Sequence, residues 1–373
     1  MSRWALCLLL FYALVRFDQQ GAPPAAAGQQ APSERPPALS HRPAPSASAP
    51  EGKIKLDVLV TDGAGQPVSG LQRQDFTLLD DKKPQPILSF SEVNGVTGNG
   101  TAADPPVEVI LLIDATNNSL HKVAYERSQI EGFLRQNGGR LTQPVSLMIF
   151  SERGVKAQPQ ASSDGNQLAE VLEKAASTMH VIPMSGGYDA IERLEQSLRT
   201  LRTIAAAEGT KPGRKMLIWI GPGWPMLEGP GYRPSDSAQR RVFNIIVETT
   251  RALREARITM YSINPVDPEA QFLADRYRDF LKGVSSPRQA ESGALAVPVF
   301  AIHSGGRAFD RPADLTQELN SCVAEAKAYY TLGFDPPNAE RTDEYHDVEV
   351  KVDQPHLKAR TNIGYYAEPA LQP

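Results

Sequence analysis

Val107-Glu108-Val109-Ile110-Leu111-Leu112-Ile113-Asp114-Ala115-Thr116-Asn117-Asn118-Ser119 is the stretch on which the fold turns. Val109–Ile113 is an unbroken run of β-branched residues and leucine. It has the length of a strand and is too short for a typical helix, so it reads as a strand covered on both faces, as at the centre of a parallel sheet. The run stops at Asp114, and only small or polar residues follow up to Ser119. A carboxylate where a buried strand emerges is costly unless it faces water, a cation or hydrogen-bond donors. In open α/β sheets, ligands sit beyond the carboxyl ends of central strands. Asp114 therefore reads either as part of a ligand site or as a residue that caps the next helix or steadies its own turn. The stretch alone leaves both readings open.

Outward from this strand the periodicity alternates between helix and strand. Val123, Ile130, Phe133 and Leu134 share one helical face. Val145–Phe150 is a second buried strand, and Asp164–Ser177 a helix with Leu168, Val171, Leu172 and Ala175 on one side. Ile191, Leu194, Leu198, Leu201 and Ile204 mark a longer helix, and Met216–Ile220 a strand ended by Gly221-Pro222-Gly223-Trp224-Pro225. Val242–Arg257 is helical and Ile258–Ile263 a strand. Gln271–Gly283 and Ala294–His303 read as helices, the second weakened by Pro298; Gly305-Gly306 turns into a short edge strand, and Leu315–Lys327 is the last helix. Such alternation implies a parallel sheet with right-handed crossovers, doubly wound with helices on both faces.

The flanks change class. Ile54, Leu56, Val58 and Val60 alternate as in a half-buried strand. Gln74–Asp80 reads as another strand, and Gln85–Ser91 as one that pairs back. After the last helix come Ala328–Phe334, Tyr345–Val352 and Leu357–Tyr366, separated by turn residues. Neither set makes a comfortable sheet alone. The expected architecture is a small β-sandwich shared by segments 53–92 and 328–367, with an α/β domain over 107–327 between its halves.

Composition narrows the function. The 373 residues are 41% hydrophobic and 22% charged, with a net charge of -4. No long basic run suggests a nucleic-acid partner. Arg3 precedes the apolar run Trp4–Val15, which is too short for a comfortable membrane span and fits a secretory signal, with residues 1–27 as the leader and Ala25-Ala26-Ala27 before Gly28 as a cleavage site. An uncleaved N-terminal anchor is the rival reading; a cleaved leader leaves no membrane span in the mature chain. Residues 28–52, rich in Ala, Pro, Ser and Gln, read as a disordered tether. Of the two cysteines, Cys7 falls in the leader, so Cys322 has no internal disulfide partner. A secreted, periplasmic or cell-envelope location follows from this reading.

Three further stretches carry a family resemblance: Asp57-Val58-Leu59-Val60-Thr61-Asp62-Gly63 with Leu71 and Asp75-Phe76; Tyr188-Asp189-Ala190-Ile191; and Tyr329-Tyr330-Thr331-Leu332-Gly333-Phe334-Asp335-Pro336 with the closing Gly364-Tyr365-Tyr366. With Val109–Asn118 they make the chain resemble a von Willebrand factor type A domain protein, and more narrowly the VWFA-related family of Acidobacteria, over roughly residues 53–367. The resemblance implies a divalent-cation adhesion site built from Asp-x-Ser-x-Ser, a Thr from a later loop and an Asp after the fourth strand. Here the corresponding residues are Asp114, Thr116 and Asn118, with Ser185 where the Thr falls, while Trp219-Ile220-Gly221-Pro222 lacks the last Asp. One carboxylate and three neutral oxygens imply weak binding of Mg²⁺, Mn²⁺ or Ca²⁺, or a metal-free remnant.

Other chemistry finds little support. The six histidines (His41, His121, His180, His303, His346 and His356) show no metal-ligand spacing, and His346 and His356 read as solvated or strand-face residues. There is no nucleophile elbow, phosphate loop or paired-cysteine motif. Trp224 reads as loop packing or as a ligand contact. The sequence thus points to a non-enzymatic, adhesion-type module that engages an unidentified protein partner at the top of the sheet. A metal-assisted hydrolase using Asp114 with Asp189 or Glu192, or a ligand-free structural envelope protein, are the alternatives.

Overall fold

The computed structural model describes residues 54–94, 104–176, 187–224, 235–265, 277–310 and 312–369. The leader and tether read at 1–52, together with Ser185, lie outside the described residues. The chain enters through β1 (Ile54–Thr61), β2 (Phe76–Asp80), β3 (Lys83–Gln85) and β4 (Ser89–Val93). It then forms β5 (Glu108–Asp114), α1 (Leu120–Leu134), β6 (Arg140–Ser151), β7 (Gly154–Ala157), β8 (Ser162–Asp164) and α2 (Gly165–Ala176). Next come α3 (Gly187–Gly209), β9 (Lys215–Ile220), α4 (Asp236–Glu255), β10 (Ile258–Asn264), α5 (Val297–His303), β11 (Ala308–Asp310) and α6 (Leu315–Ala324). Four strands close the chain: β12 (Tyr329–Phe334), β13 (Glu344–Val352), β14 (Lys358–Arg360) and β15 (Gly364–Ala367).

The run Val109–Ile113 lies at the centre of a seven-stranded sheet of order β11-β10-β9-β5-β6-β7, with β8 also on β6. The strands from β11 to β6 are parallel, and β7 and β8 are antiparallel to β6. Every residue of β9 and β10 is buried, which is why these strands carry no polar alternation. On one face Ile110, Leu112 and Trp219 pack with Leu198 and Leu201 of α3, Ile246 of α4 and Phe300 of α5. On the other, Leu111, Ile113 and Ile218 pack with Val123 and Ile130 of α1, Leu168 of α2 and Leu319 and Cys322 of α6. Among the described residues, helices thus cover both faces of the sheet.

The flanking strands pair with one another across the length of the chain. One antiparallel sheet runs β14-β1-β12-β4 and the other β15-β13-β2-β3. In register, Ile54 faces Phe334 and Leu56 faces Leu332, while Leu78 faces Val350. Leu56, Val58, Phe76, Leu78, Tyr330, Leu332 and Val350 form a common core between the two sheets. Each side chain of this kind, fully buried, contributes about 1.5–3 kcal/mol. The junction with the parallel sheet combines apolar contacts, such as Tyr366 on Phe243, with buried ion pairs. Arg257, held at φ +53°, donates to both oxygens of Asp57 (3.1 and 2.6 Å) and pairs with Asp104 at 2.7 Å. Buried Glu325 accepts from Tyr261, Arg307 and Arg360.

Several sequence expectations need correction. The strand read at Gln74–Asp80 begins at Phe76, because Arg73–Asp75 is a 3₁₀ turn in which Asp75 Oδ2 accepts from the Gln72 N–H at 2.6 Å. The strand read at Gln85–Ser91 is two: β3 pairs back on β2, but β4 crosses to β12 in the other sheet. Leu357–Tyr366 likewise splits, β14 joining β1 and β15 joining β13. Pro298 does not break its helix, since it sits in the first turn of α5, where its missing N–H costs nothing. Residues 271–276 lie outside the described residues, and Arg278–Phe280 is a 3₁₀ turn. His356 is in a turn at φ +74°, not in a strand.

Candidate functional site

Asp114 is the last residue of β5 and is fully buried. Strand parity puts it on the face of Ile110 and Leu112, beside Trp219 of the neighbouring strand. Its Oδ1 accepts from the backbone N–H of Asn117 at 3.0 Å and from Asn117 Nδ2 at 3.1 Å. Its Oδ2 accepts from Asn117 Nδ2 at 3.0 Å and from the Trp219 indole N–H at 3.1 Å. Burial pushes the Asp114 carboxyl up to about 6, against the pull of these donors. Of the two roles open to Asp114 without a ligand, it takes the turn, since the cap position of α1 belongs to Ser119.

The rest of the loop is buried as well. Asn117 Nδ2 also reaches Ser197 Oγ of α3 at 3.1 Å. Asn118 turns away from Asp114. Its Nδ2 donates to Glu126 Oε1 at 2.8 Å, and its Oδ1 accepts from the Ser119 N–H at 3.0 Å. Glu126, on the buried face of α1, is 1% exposed. Burial, reinforced by the charge of Asp114, raises its carboxyl to about 8. Three buried oxygens here, Thr116 Oγ1, Asn117 Oδ1 and Glu126 Oε2, have no hydrogen-bond partner among the described residues.

Chemically this is a mixed arrangement. Buried oxygens without donors are what a hard cation seeks. The amide and indole donors on Asp114 are what such a cation would displace. The position after β9 is closed to a second carboxylate: Gly221 is at φ +131°, and a Cβ on it would lie 2.9 Å from Asp114 Cβ. Asp114, Thr116 and Asn118 are therefore brought into one buried loop, while Ser185 and the side chain of Asp189 lie outside the described residues. Glu192 is exposed. Trp224 is loop packing: it is buried edge-on against Trp219, ring centroids 5.5 Å apart. Glu126 was missed, although it falls at helical spacing between Val123 and Ile130, where a carboxylate on the apolar stripe is itself a signal.

A second acid-bearing corner lies in the sandwich. Asp80 ends β2, Asp81 opens the turn after it, and His346 stands opposite on β13; together these three could hold a metal ion. His346 Nδ1 is 2.8 Å from Asp80 Oδ1 and 3.4 Å from Asp81 Oδ2. Of the solvated and strand-face roles its sequence context suggested, His346 takes the second, on the buried face of β13. No signal in the sequence joins residues this far apart in the chain.

No protein-family model matches the sequence, and neither does any curated protein. Among solved structures the chain is similar to the human COPII-coat protein Sec24c, at 8% identity and a TM-score of 0.32, over 72% of this chain and 45% of that one. It is similar to the pilus adhesin SpaC from Lactobacillus rhamnosus GG at 10% identity and TM-score 0.33, over 81% and 49%. It is also similar to a point mutant of the PilB minor pilin from Streptococcus sanguinis, at 12% and 0.32, over 61% and 62%. The chain spans less than two thirds of each of these proteins. Among the described residues no helix is long and apolar enough to cross a membrane.

Proposed function

We propose that the chain is an exported binding module of the von Willebrand factor type A kind, inserted between the halves of its β-sandwich. It engages a protein partner at the carboxyl-end face of the parallel sheet, with a weak divalent-cation site at Asp114. The observation that carries this reading is the set of unpartnered buried oxygens on Thr116, Asn117 and Glu126 around the loop that begins at Asp114. A loop built only for stability would leave fewer of them, since each costs about 1–3 kcal/mol. Leu120, 65% exposed at the first turn of α1, puts an apolar contact beside the same loop. A carboxylate from the partner would supply the charge that Gly221 excludes, so cation and partner each tighten the other by the same factor.

Calorimetric titration of the full chain with Mg²⁺ or Mn²⁺ tests the cation. The expected result is a dissociation constant on the order of 1 mM, lost in Asp114→Ala. Absence of both heat and a melting shift at about 10 mM cation would remove the metal from the proposal. The partner is tested by comparing envelope proteins retained by the native chain and by Asp114→Ala.

A further inference from the structure

Independently of the Asp114 loop, the rim of the sandwich carries a cluster that the proposed function does not use. Asp80 Oδ1, Asp81 Oδ2 and His346 Nδ1 converge, and the possible ligand atoms of the three residues lie within 4.8 Å of one another. The other oxygen of each carboxylate is already held. Asp80 Oδ2 accepts from the Tyr365 hydroxyl at 2.5 Å, and Asp81 Oδ1 accepts from the Asp347 N–H at 3.0 Å. The Tyr365 ring stacks on the imidazole with centroids 5.0 Å apart and planes 14° apart, which fixes the direction of Nδ1. Outer partners of this sort are what orient the ligands of metal centres.

Two carboxylates and one imidazole share this corner. Asp80 is 1% exposed and faces a ring that is 6% exposed, so neither can rely on water. His346 Nε2, also buried, has no hydrogen-bond partner among the described residues. Lys82, on the turn, is exposed.

We propose that Asp80, Asp81 and His346 form a site for one divalent transition-metal ion, with Zn²⁺ the foremost candidate. The 3.4 Å between His346 Nδ1 and Asp81 Oδ2 suits two tetrahedral ligands about 2.0–2.2 Å from an ion, and the 2.8 Å hydrogen bond from Nδ1 to Asp80 Oδ1 would open as the ion takes the place of its proton. One imidazole and two carboxylates favour Zn²⁺ over Mg²⁺, whereas the all-oxygen Asp114 loop favours the reverse. Asp81 is half exposed, so the ion keeps an open side toward solvent, for a water or for a donor from another molecule.

The test is Zn²⁺ titration of the full chain, followed by calorimetry and melting temperature, on native protein and on Asp81→Asn, His346→Gln and Asp114→Ala. Asp81→Asn is the decisive variant. Asparagine tolerates the φ of +47° and retains the acceptor for the Asp347 N–H, so the turn survives while the charge goes. One site per chain and a raised melting temperature are expected, with affinity at least about tenfold weaker in Asp81→Asn and His346→Gln and unchanged in Asp114→Ala. No Zn²⁺ binding by the native chain, or binding that Asp81→Asn leaves intact, would overturn the site. Mg²⁺ binding lost only in Asp114→Ala reports on the other loop, so the two sites stand or fall separately.

Discussion

Asp114 ends a buried strand and Asp80 a half-buried one, and each carboxylate is almost wholly withdrawn from water. Their surroundings differ in one respect. Both oxygens of Asp114 are occupied by neutral donors from Asn117 and Trp219, so the loop satisfies its own acid and leaves neighbouring oxygens bare. Asp80 commits one oxygen to Tyr365 and turns the other toward an imidazole and a second carboxylate. Burial alone thus does not mark an acid as a ligand. What marks it is whether other ligand-type atoms point at the same spot.

Three substitutions probe this contrast. The largest effect is expected from Asp80→Ala, which strips the acceptor from two buried donors, His346 Nδ1 and the Tyr365 hydroxyl. Urea unfolding should show a loss of about 4 kcal/mol. A loss below about 1 kcal/mol would mean that the corner is not a closed network.

Glu126→Gln should act in the opposite direction, and only above acid pH. The Glu126 carboxyl sits near 8 in the fold, raised chiefly by burial, against 4.5 unperturbed. The unfolded chain therefore releases this proton first, and stability falls as pH rises from 4.5 toward 8. By pH 7 the cost is about 3 kcal/mol, and glutamine, which can still accept from Asn118 Nδ2, avoids it. Melting curves of the variant and the native chain should coincide at about pH 4 and separate at about pH 7, the variant being more stable. Coincident curves at neutral pH would show that water or a cation reaches Glu126.

The smallest effect belongs to Thr116→Val. The substitution keeps the shape and removes an orphaned hydroxyl, so the fold should gain about 1 kcal/mol. If Mg²⁺ binding weakens in the same variant, the hydroxyl serves a ligand rather than the fold. A variant that is less stable would show that Thr116 has a partner in solution.

The parallel sheet was legible because its strands are buried on both faces, and an apolar run such as Val109–Ile113 has few other uses. The short antiparallel strands β7 and β8 were not. Gly154–Ala157 and Ser162–Asp164 sit at an edge and hide little, so nothing in their residues repeats. The split at Gln85–Ser91 was invisible for a different reason. Ile87 serves the sandwich core from between two strands of opposite sheets, and a periodic pattern does not say which neighbour a strand will take. In the Asp114 loop the acid was readable from where the apolar run stops, and Thr116 only through the family resemblance. Its indole donor comes from a distant strand, whereas Glu126 lies on the next helix, where its place on the apolar stripe was a signal left unread. The meeting of Asp80 with His346 depends on the register of β2 against β13, which no local pattern encodes.

That register bears on how the protein is made. Ile54 pairs with Phe334, a separation of roughly 280 residues, and contacts so remote in sequence are slow to form. Until the last strands emerge from the ribosome, β1 and β2 lack their partners β12 and β13, whereas the segment between them contains every strand of the parallel sheet. The α/β segment can therefore pack before the sandwich closes, and the pairing of Arg257 with Asp57 across the two is among the last contacts to form.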